Sequence, residues 1–226
     1  MTVDYNEFAK TFSNSRKNMK WEEIEYFLSF LNSDNRGENL ENNFNILDVW
    51  CWNWRFLNFF KESKIWKLNN YNYLGVDLSK NLLEEAKNRN LDNDFLELNM
   101  LNLEKINKKF KYIFFIASFH HLDNIEDRIN VLKKAYDLLE EDWVIFMTNW
   151  SLNSDLNKEK YSESIVKWSE NKFWSLDYNI KIWKFNRYYH SFCISELTYL
   201  FENTWFNIIE NKEFENKRNF ISILRK

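Results

Sequence analysis

Apolar and polar positions along the chain change period several times, and each change marks an element. Over residues 5–31, Phe8, Phe12, Trp21, Ile24, Phe27, Leu28 and Leu31 recur at roughly helical spacing and predict helix. Residues 33–43 are polar, contain Gly37 and read as a loop. The apolar run 44–49 predicts a first strand, 55–64 a helix, and 73–76 a second strand ending at Asp77. Residues 79–90 read as helix with Ser79 as N-cap, and 94–98 as a third strand. The run 112–117 is apolar on both faces and so predicts a central fourth strand. A helix at 125–139 and a fifth strand at 144–148 follow. Residues 151–190 are polar and aromatic with weak periodicity. A helix at 195–203 precedes two last strands, 206–213 and 219–224, read as a hairpin.

Strands alternating with helices at this spacing predict an α/β fold. It is doubly wound, with a mostly parallel seven-stranded sheet and helices on both faces. No linker or repeat divides residues 1–226, so one domain is expected, with a helical cap at 1–43. The segment 151–190 is expected to be an insertion that contributes to a substrate site. Sheets of this kind bind ligands at the carboxyl ends of their strands, so the loops after the first four strands hold the candidate chemistry.

Composition narrows the classes. The chain has 226 residues, 45% of them hydrophobic, enough for a real core. A net charge of −3 and a pI near 5.8 exclude a strongly basic nucleic-acid wrapper. No apolar run approaches the roughly 20 residues of a membrane-spanning helix, and Met1-Thr2-Val3-Asp4-Tyr5 shows no basic-then-apolar signal pattern. Two cysteines, Cys51 and Cys193, make no disulfide framework, and a reduced, cytoplasmic setting follows. Three dispersed histidines give no zinc spacing, and no Ser-His-Asp or Cys-His pattern stands out. The lysines of 105–111 read as solvated loop. Glycine and proline are anomalous: average usage predicts about 16 and about 11, and the chain has 2 and 0. Abundant Asn and Lys suit an AT-rich genome, but that bias does not explain 11 Trp.

The first candidate loop is Ile46-Leu47-Asp48-Val49-Trp50-Cys51-Trp52-Asn53-Trp54-Arg55-Phe56-Leu57. With glycine at 50, 52 and 54 it resembles the nucleotide-binding loop of class I S-adenosylmethionine-dependent methyltransferases. Leu74-Gly75-Val76-Asp77-Leu78-Ser79 resembles that family's second motif, a strand ending in an acid that binds ribose hydroxyls. Leu98-Asn99-Met100-Leu101 sits where the family has an acidic residue near the adenine, and the Asn99 carbonyl oxygen can accept from the adenine amine. Leu138-Leu139-Glu140-Glu141-Asp142-Trp143-Val144 resembles its Leu-x-Pro-Gly-Gly turn. The likeness covers residues 44–150. It implies S-adenosylmethionine as cofactor, held by Asp48, Trp50, Cys51, Trp52, Asn53, Trp54, Asp77, Leu78, Asn99, Met100 and Ser118.

The loop wants glycines for positive φ and for close approach of backbone to ligand. Three indoles there would fill the site and strain the backbone. One resolution is a genetic code that reads UGA as glycine, so that tryptophan stands at true glycine positions. Trp50, Trp52, Trp54 and Trp143 fit by motif, and Trp205 fits a helix–Gly–Phe–strand cap. Trp66 is a further candidate, and Trp174 and Trp183 are undecided. Trp21, Trp150 and Trp168 read as genuine. The alternative is that all 11 are genuine and the protein is a catalytically silent binding subunit.

Three patches narrow the likeness. Phe8-Ala9-Lys10-Thr11-Phe12-Ser13-Asn14-Ser15-Arg16, Phe119-His120-His121-Leu122 with Asp127-Arg128, and Arg187-Tyr188-Tyr189-His190-Ser191-Phe192 with Glu196-Leu197 resemble the tRNA wobble-uridine carboxymethyl methyltransferases. Ser15 stands where that family has Thr, and Glu22 and Lys167 where it often has Pro. The resemblance implies esterification of the carboxylate of 5-carboxymethyluridine, with the tRNA anticodon loop as partner and a small activating subunit. Arg187, then Arg16, would hold the substrate carboxylate or a phosphate. Tyr188, Tyr189 and His190 would stack on or hydrogen-bond a flipped base, and His120 would line the acceptor pocket, with His121 structural. A small-molecule methyltransferase on the same fold is the other enzyme reading.

Overall fold

The computed structural model describes residues 21–33, 44–52, 54–62, 71–168, 172–182 and 185–226. The elements in chain order are α1 (Glu22–Ser33), β1 (Phe44–Val49), α2 (Arg55–Glu62), β2 (Tyr71–Asp77), α3 (Lys80–Arg89), β3 (Asp94–Glu97) and β4 (Phe110–Ile116). Then come α4 (Ile125–Leu138), β5 (Leu139–Trp150), the single turn α5 (Lys158–Tyr161), β6 (Ile165–Trp168), β7 (Leu176–Ile182) and β8 (Phe185–Ser191). The chain closes with α6 (Ile194–Glu202), β9 (Asn207–Glu213) and β10 (Asn219–Arg225). Residues 5–20 of the expected helix, the 34–43 loop, Arg16, Asn53, Trp66 and Trp183 lie outside the described residues.

Seven strands form one sheet in the order β3-β2-β1-β4-β5-β10-β9. The first five run parallel, and β10 is antiparallel to both neighbours. Period-two alternation splits the strands between two cores. Leu47, Phe115 and Met147 meet α4 and α6 on one face through Leu132, Leu138, Leu197 and Phe201. Ile46, Phe114 and Phe146 meet α1, α2 and α3 on the other through Phe27, Phe56, Leu57 and Leu83. The sheet order reverses between β1 and β4, which opens a crevice at their carboxyl ends.

The segment 151–190 is more ordered than its periodicity suggests. It builds a second, antiparallel sheet, β6-β7-β8, between β5 and α6. Leu176, Tyr178 and Ile180 do alternate and form a small core with Tyr189 and Leu152. The alternation is masked because Asp177, Arg187 and His190 are buried as well.

Candidate active site

The loop after β1 leaves the sheet in left-handed backbone. Trp50, Trp52 and Trp54 have φ of 67°, 55° and 78°. Cys51 N–H donates to the Val76 carbonyl at 2.9 Å, which ties the loop to β2. Asp77, at the carboxyl end of β2, accepts from Trp52 N–H at 2.9 Å and from Ser79 N–H at 2.8 Å. The acid that sequence placed at a strand end therefore organises both the loop and the start of α3, whose N-cap is Ser79. Leu78, beside it, is half exposed. Gly75 lets Cys51 close: a Cβ there would stand 2.8 Å from Cys51 Sγ.

Burial raises the Asp77 carboxyl to about 6, although the backbone N–H groups and Arg187 pull it down. Asp48 is buried to the same extent. Burial lifts it to about 7, against a 2.7 Å hydrogen bond from the Tyr73 hydroxyl. Asp48, Trp50, Cys51, Trp52, Phe56 and Ile116 line the crevice with Trp21 and Ile24, and leave a cavity of about 20 Å³. That is room for about one water.

Asn99 caps the 3₁₀ turn Met100–Lys105, its side-chain oxygen accepting from Leu101 N–H at 2.9 Å. Leu98 N–H donates to the Asp77 carbonyl at 2.9 Å, which seats this turn beside the acid. Met100 is buried.

The second wall comes from the accessory sheet. Arg187, 4% exposed, reaches from β8 to His121 Nε2. Its guanidinium lies 5.4 Å from the Trp52 ring and 5.2 Å from the Tyr189 ring. His121 Nδ1 is 2.9 Å from the Tyr188 carbonyl, which can only accept, so Nδ1 carries the proton and Nε2 receives Arg187. His120 takes the opposite tautomer: its Nδ1 accepts from Trp150 N–H at 3.0 Å, leaving the proton on Nε2. Burial, then the Arg187 charge, pushes both imidazoles well below their ordinary range, so both are neutral. His121, expected to be structural, is thus the direct contact of Arg187, and its ring lies 5.0 Å from that of Trp50.

Tyr188 and His190 project from the other side of β8. The Tyr188 hydroxyl donates to Asp177 Oδ1 at 2.7 Å. His190 bridges two acids, Nδ1 to Asp177 at 2.7 Å and Nε2 to Glu196 at 2.9 Å. Carboxylates only accept, so His190 donates from both nitrogens and is cationic. Glu196 also takes Arg128 at 3.1 Å and a short hydrogen bond from Ser175, and Arg128 closes onto the Leu122 carbonyl. Burial raises Asp177 and Glu196, but the hydrogen bonds from His190 and its neighbours outweigh it and hold both below the usual range. Two anions and two cations balance, and they join β7 and β8 to α4 and α6.

Two buried polar groups stand at the carboxyl ends of β4 and β5. Asn149 in β5 is fully buried, and neither its amide oxygen nor its nitrogen has a partner among the described residues. The hydroxyl of Ser118, just past β4, is in the same state. The strand pairing Ile116↔Thr148 brings these two positions to neighbouring strand ends. An amide just past the apolar run 144–147 was the available signal for Asn149. Among the described residues, no group of three His, Cys, Asp or Glu is placed to hold a metal, and no helix is long and apolar enough to cross a membrane.

Residues 51–142 match a methyltransferase domain family. Over 161 residues the chain is 26% identical to the tRNA (carboxymethyluridine(34)-5-O)-methyltransferase of Saccharomyces cerevisiae, covering 71% of this chain and 51% of that protein. The chain therefore spans about half the length of this relative. Among solved structures, a S-adenosylmethionine-dependent methyltransferase from Clostridium acetobutylicum superposes with a TM-score of 0.66 at 16% identity, covering 98% of each chain. The 1,6-didemethyltoxoflavin-N1-methyltransferase of Burkholderia thailandensis gives 0.61 at 14% identity, covering 100% of this chain and 91% of that one. The fold is the Rossmann-like methyltransferase fold. S-adenosylmethionine, the cofactor that the sequence resemblance implies, does not fit the tryptophan form of the chain, because Trp50 and Trp52 line a crevice with room for about one water.

Proposed function

We propose that this chain, a class I methyltransferase by domain and fold, is a cytoplasmic S-adenosylmethionine-dependent enzyme. Its acceptor is the carboxylate of a 5-carboxymethyl-type uridine at the tRNA wobble position. The observation that carries this reading is the placement of Arg187. The accessory sheet delivers a buried guanidinium to the carboxyl ends of β1 and β4, facing the loop whose Trp52 N–H is bonded to Asp77. A planar guanidinium in such a site is suited to a carboxylate or phosphate, and a carboxylate acceptor is already ionised near pH 7. It needs no general base, and the two histidines beside it are weakened as bases by burial. His121 orients Arg187, and His120 fixes the start of the turn after β5. Tyr188 and His190 act from behind, by holding β8. The yeast relative, whose name gives the same acceptor, supports the substrate.

Methyl transfer to tRNA with and without the 5-carboxymethyl group tests the reading, using the chain and its form with glycine at 50, 52 and 54. Transfer to the carboxymethyl tRNA alone is expected from the glycine form. The Arg187→Ala variant should lower it by about 100-fold. Equal transfer to tRNA lacking the carboxymethyl group would overturn the substrate assignment.

A further inference from the structure

Tryptophan and backbone conformation are correlated in this molecule in a way the side chain cannot explain. Of the nine tryptophans among the described residues, five have positive φ: Trp50, Trp52, Trp54, Trp174 and Trp205. Only a few per cent of non-glycine residues adopt such angles, and bulky ones least. The one described glycine, Gly75, lies in extended strand.

Two of the five, Trp174 and Trp205, lie outside the crevice. Trp205 sits just past α6. Phe206 N–H returns to the Phe201 carbonyl at 3.2 Å and Trp205 N–H to the Glu202 carbonyl at 3.4 Å. These are the two bonds of a Schellman cap whose left-handed residue is position 205, where glycine is the usual occupant. Phe201 and Phe206 are buried in the same core, as that cap requires, while the Trp205 indole is 59% exposed. Trp174 has φ of 60° and is 75% exposed. Its neighbours fix its backbone: the Phe173 carbonyl accepts from Cys193 Sγ at 3.0 Å, and the Ser175 hydroxyl bonds Glu196. In both places the fold prescribes a left-handed residue, and the indole gains little burial in exchange.

Within β5, where the pairing with β4 shifts between Leu139 and Val144, the backbone departs from what the motif implies. The left-handed residue of this irregular stretch is Asp142, at φ 64°, and Trp143 has no positive φ. Trp143 instead packs edge-on against Tyr112 at 5.2 Å. The backbone thus adds Trp174 to the set and gives no reason to include Trp143.

We propose that the polypeptide made in its own cell carries glycine at positions 50, 52, 54, 174 and 205, each encoded by a UGA codon read as glycine. Removing the indoles at 50 and 52 opens the crevice between Asp48, Cys51 and Asp77. The resulting cradle takes an adenosyl-sulfonium cofactor, a step that rests on the function proposed above. The decoding itself does not depend on that function.

The test has two arms. Peptide mass mapping of the protein purified from its own cells, read against the gene, should find glycine and UGA at all five positions. Tryptophan, or a UGG codon, at any of them overturns the proposal. The second arm is calorimetry with S-adenosylhomocysteine on two recombinant chains, one with tryptophan and one with glycine at the five positions. Binding at least about 100-fold tighter in the glycine chain is expected. Equal binding by the two chains overturns the opened cradle. Glycine in the native peptides with no binding by the glycine chain supports the decoding and overturns the cofactor assignment.

Discussion

The loop after β1 and the buried network behind β8 are built on opposite terms. The network is internally satisfied: Asp177 and Glu196 hold His190 between them, Arg128 and Tyr188 complete the acids, and the charges cancel. The loop is not. The carboxylates beside it, Asp48 and Asp77, are both 1% exposed with no cation among the described residues bonded directly to either, and three of its residues sit in left-handed backbone. Buried charge is tolerable where it is paired and costly where it is not. The network therefore reads as a scaffold, whereas the loop holds its acids by neutral hydrogen bonds alone.

The largest effect should come from breaking the scaffold. Glu196→Ala leaves Arg128 and His190 short of an anion and should cost about 3–5 kcal/mol in urea unfolding. A loss under about 1 kcal/mol would remove the contrast between the two regions.

The next effect concerns pH and has opposite signs in the two places. The Asp48 carboxyl is raised in the fold to about 7. Its contribution is therefore complete below the ordinary carboxylate range and is lost as pH rises through about 7. Asp48→Asn should stabilise the chain more at pH 8 than at pH 4, by on the order of 2–4 kcal/mol. Asp177 and Glu196 are lowered, so their contribution is present above the ordinary range and is lost as pH falls through their folded values. His120 and His121 act in the same direction, because the unfolded chain takes up protons below about 6.5 that the fold refuses. Tm against pH should show Glu196→Gln flattening the acid limb and Asp48→Asn the alkaline limb. A shift of both limbs by either variant would contradict the division.

The smallest effect isolates backbone strain from ligand chemistry. Trp205→Gly lies far from the crevice and gives up an indole already 59% exposed. It should stabilise the chain by about 1 kcal/mol through relief of the left-handed conformation. A loss of stability would mean that the contacts of the indole with Tyr136 and Lys133 outweigh the strain.

Much of the fold was legible because its signals are local. β1 and the limits of α3, α4 and α6 fall within a residue or two of their sequence expectation, since period and caps are written along a single segment. The accessory sheet was not legible. In β7 and β8, buried polar residues interrupt an alternation only three residues long. The candidate site divides in the same way. Asp77 at a strand end, and the glycine demand of the loop after β1, could be argued from sequence, and the backbone angles of that loop agree with the demand.

What sequence by itself determined is the order along the chain of the seven main-sheet strands and their helices, the switch-point loops and the residue types they carry, because each follows from short-range periodicity. Tertiary structure alone decided how Arg187-Tyr188-Tyr189-His190 divides between its two faces. The pairing Asp177↔His190 sets the parity of β8. A slip of one residue would have turned Tyr188 and His190 toward the crevice and Arg187 toward the acids. That pairing joins segments whose side chains carry no mark of their register, so the face each residue takes is settled only when the strands meet.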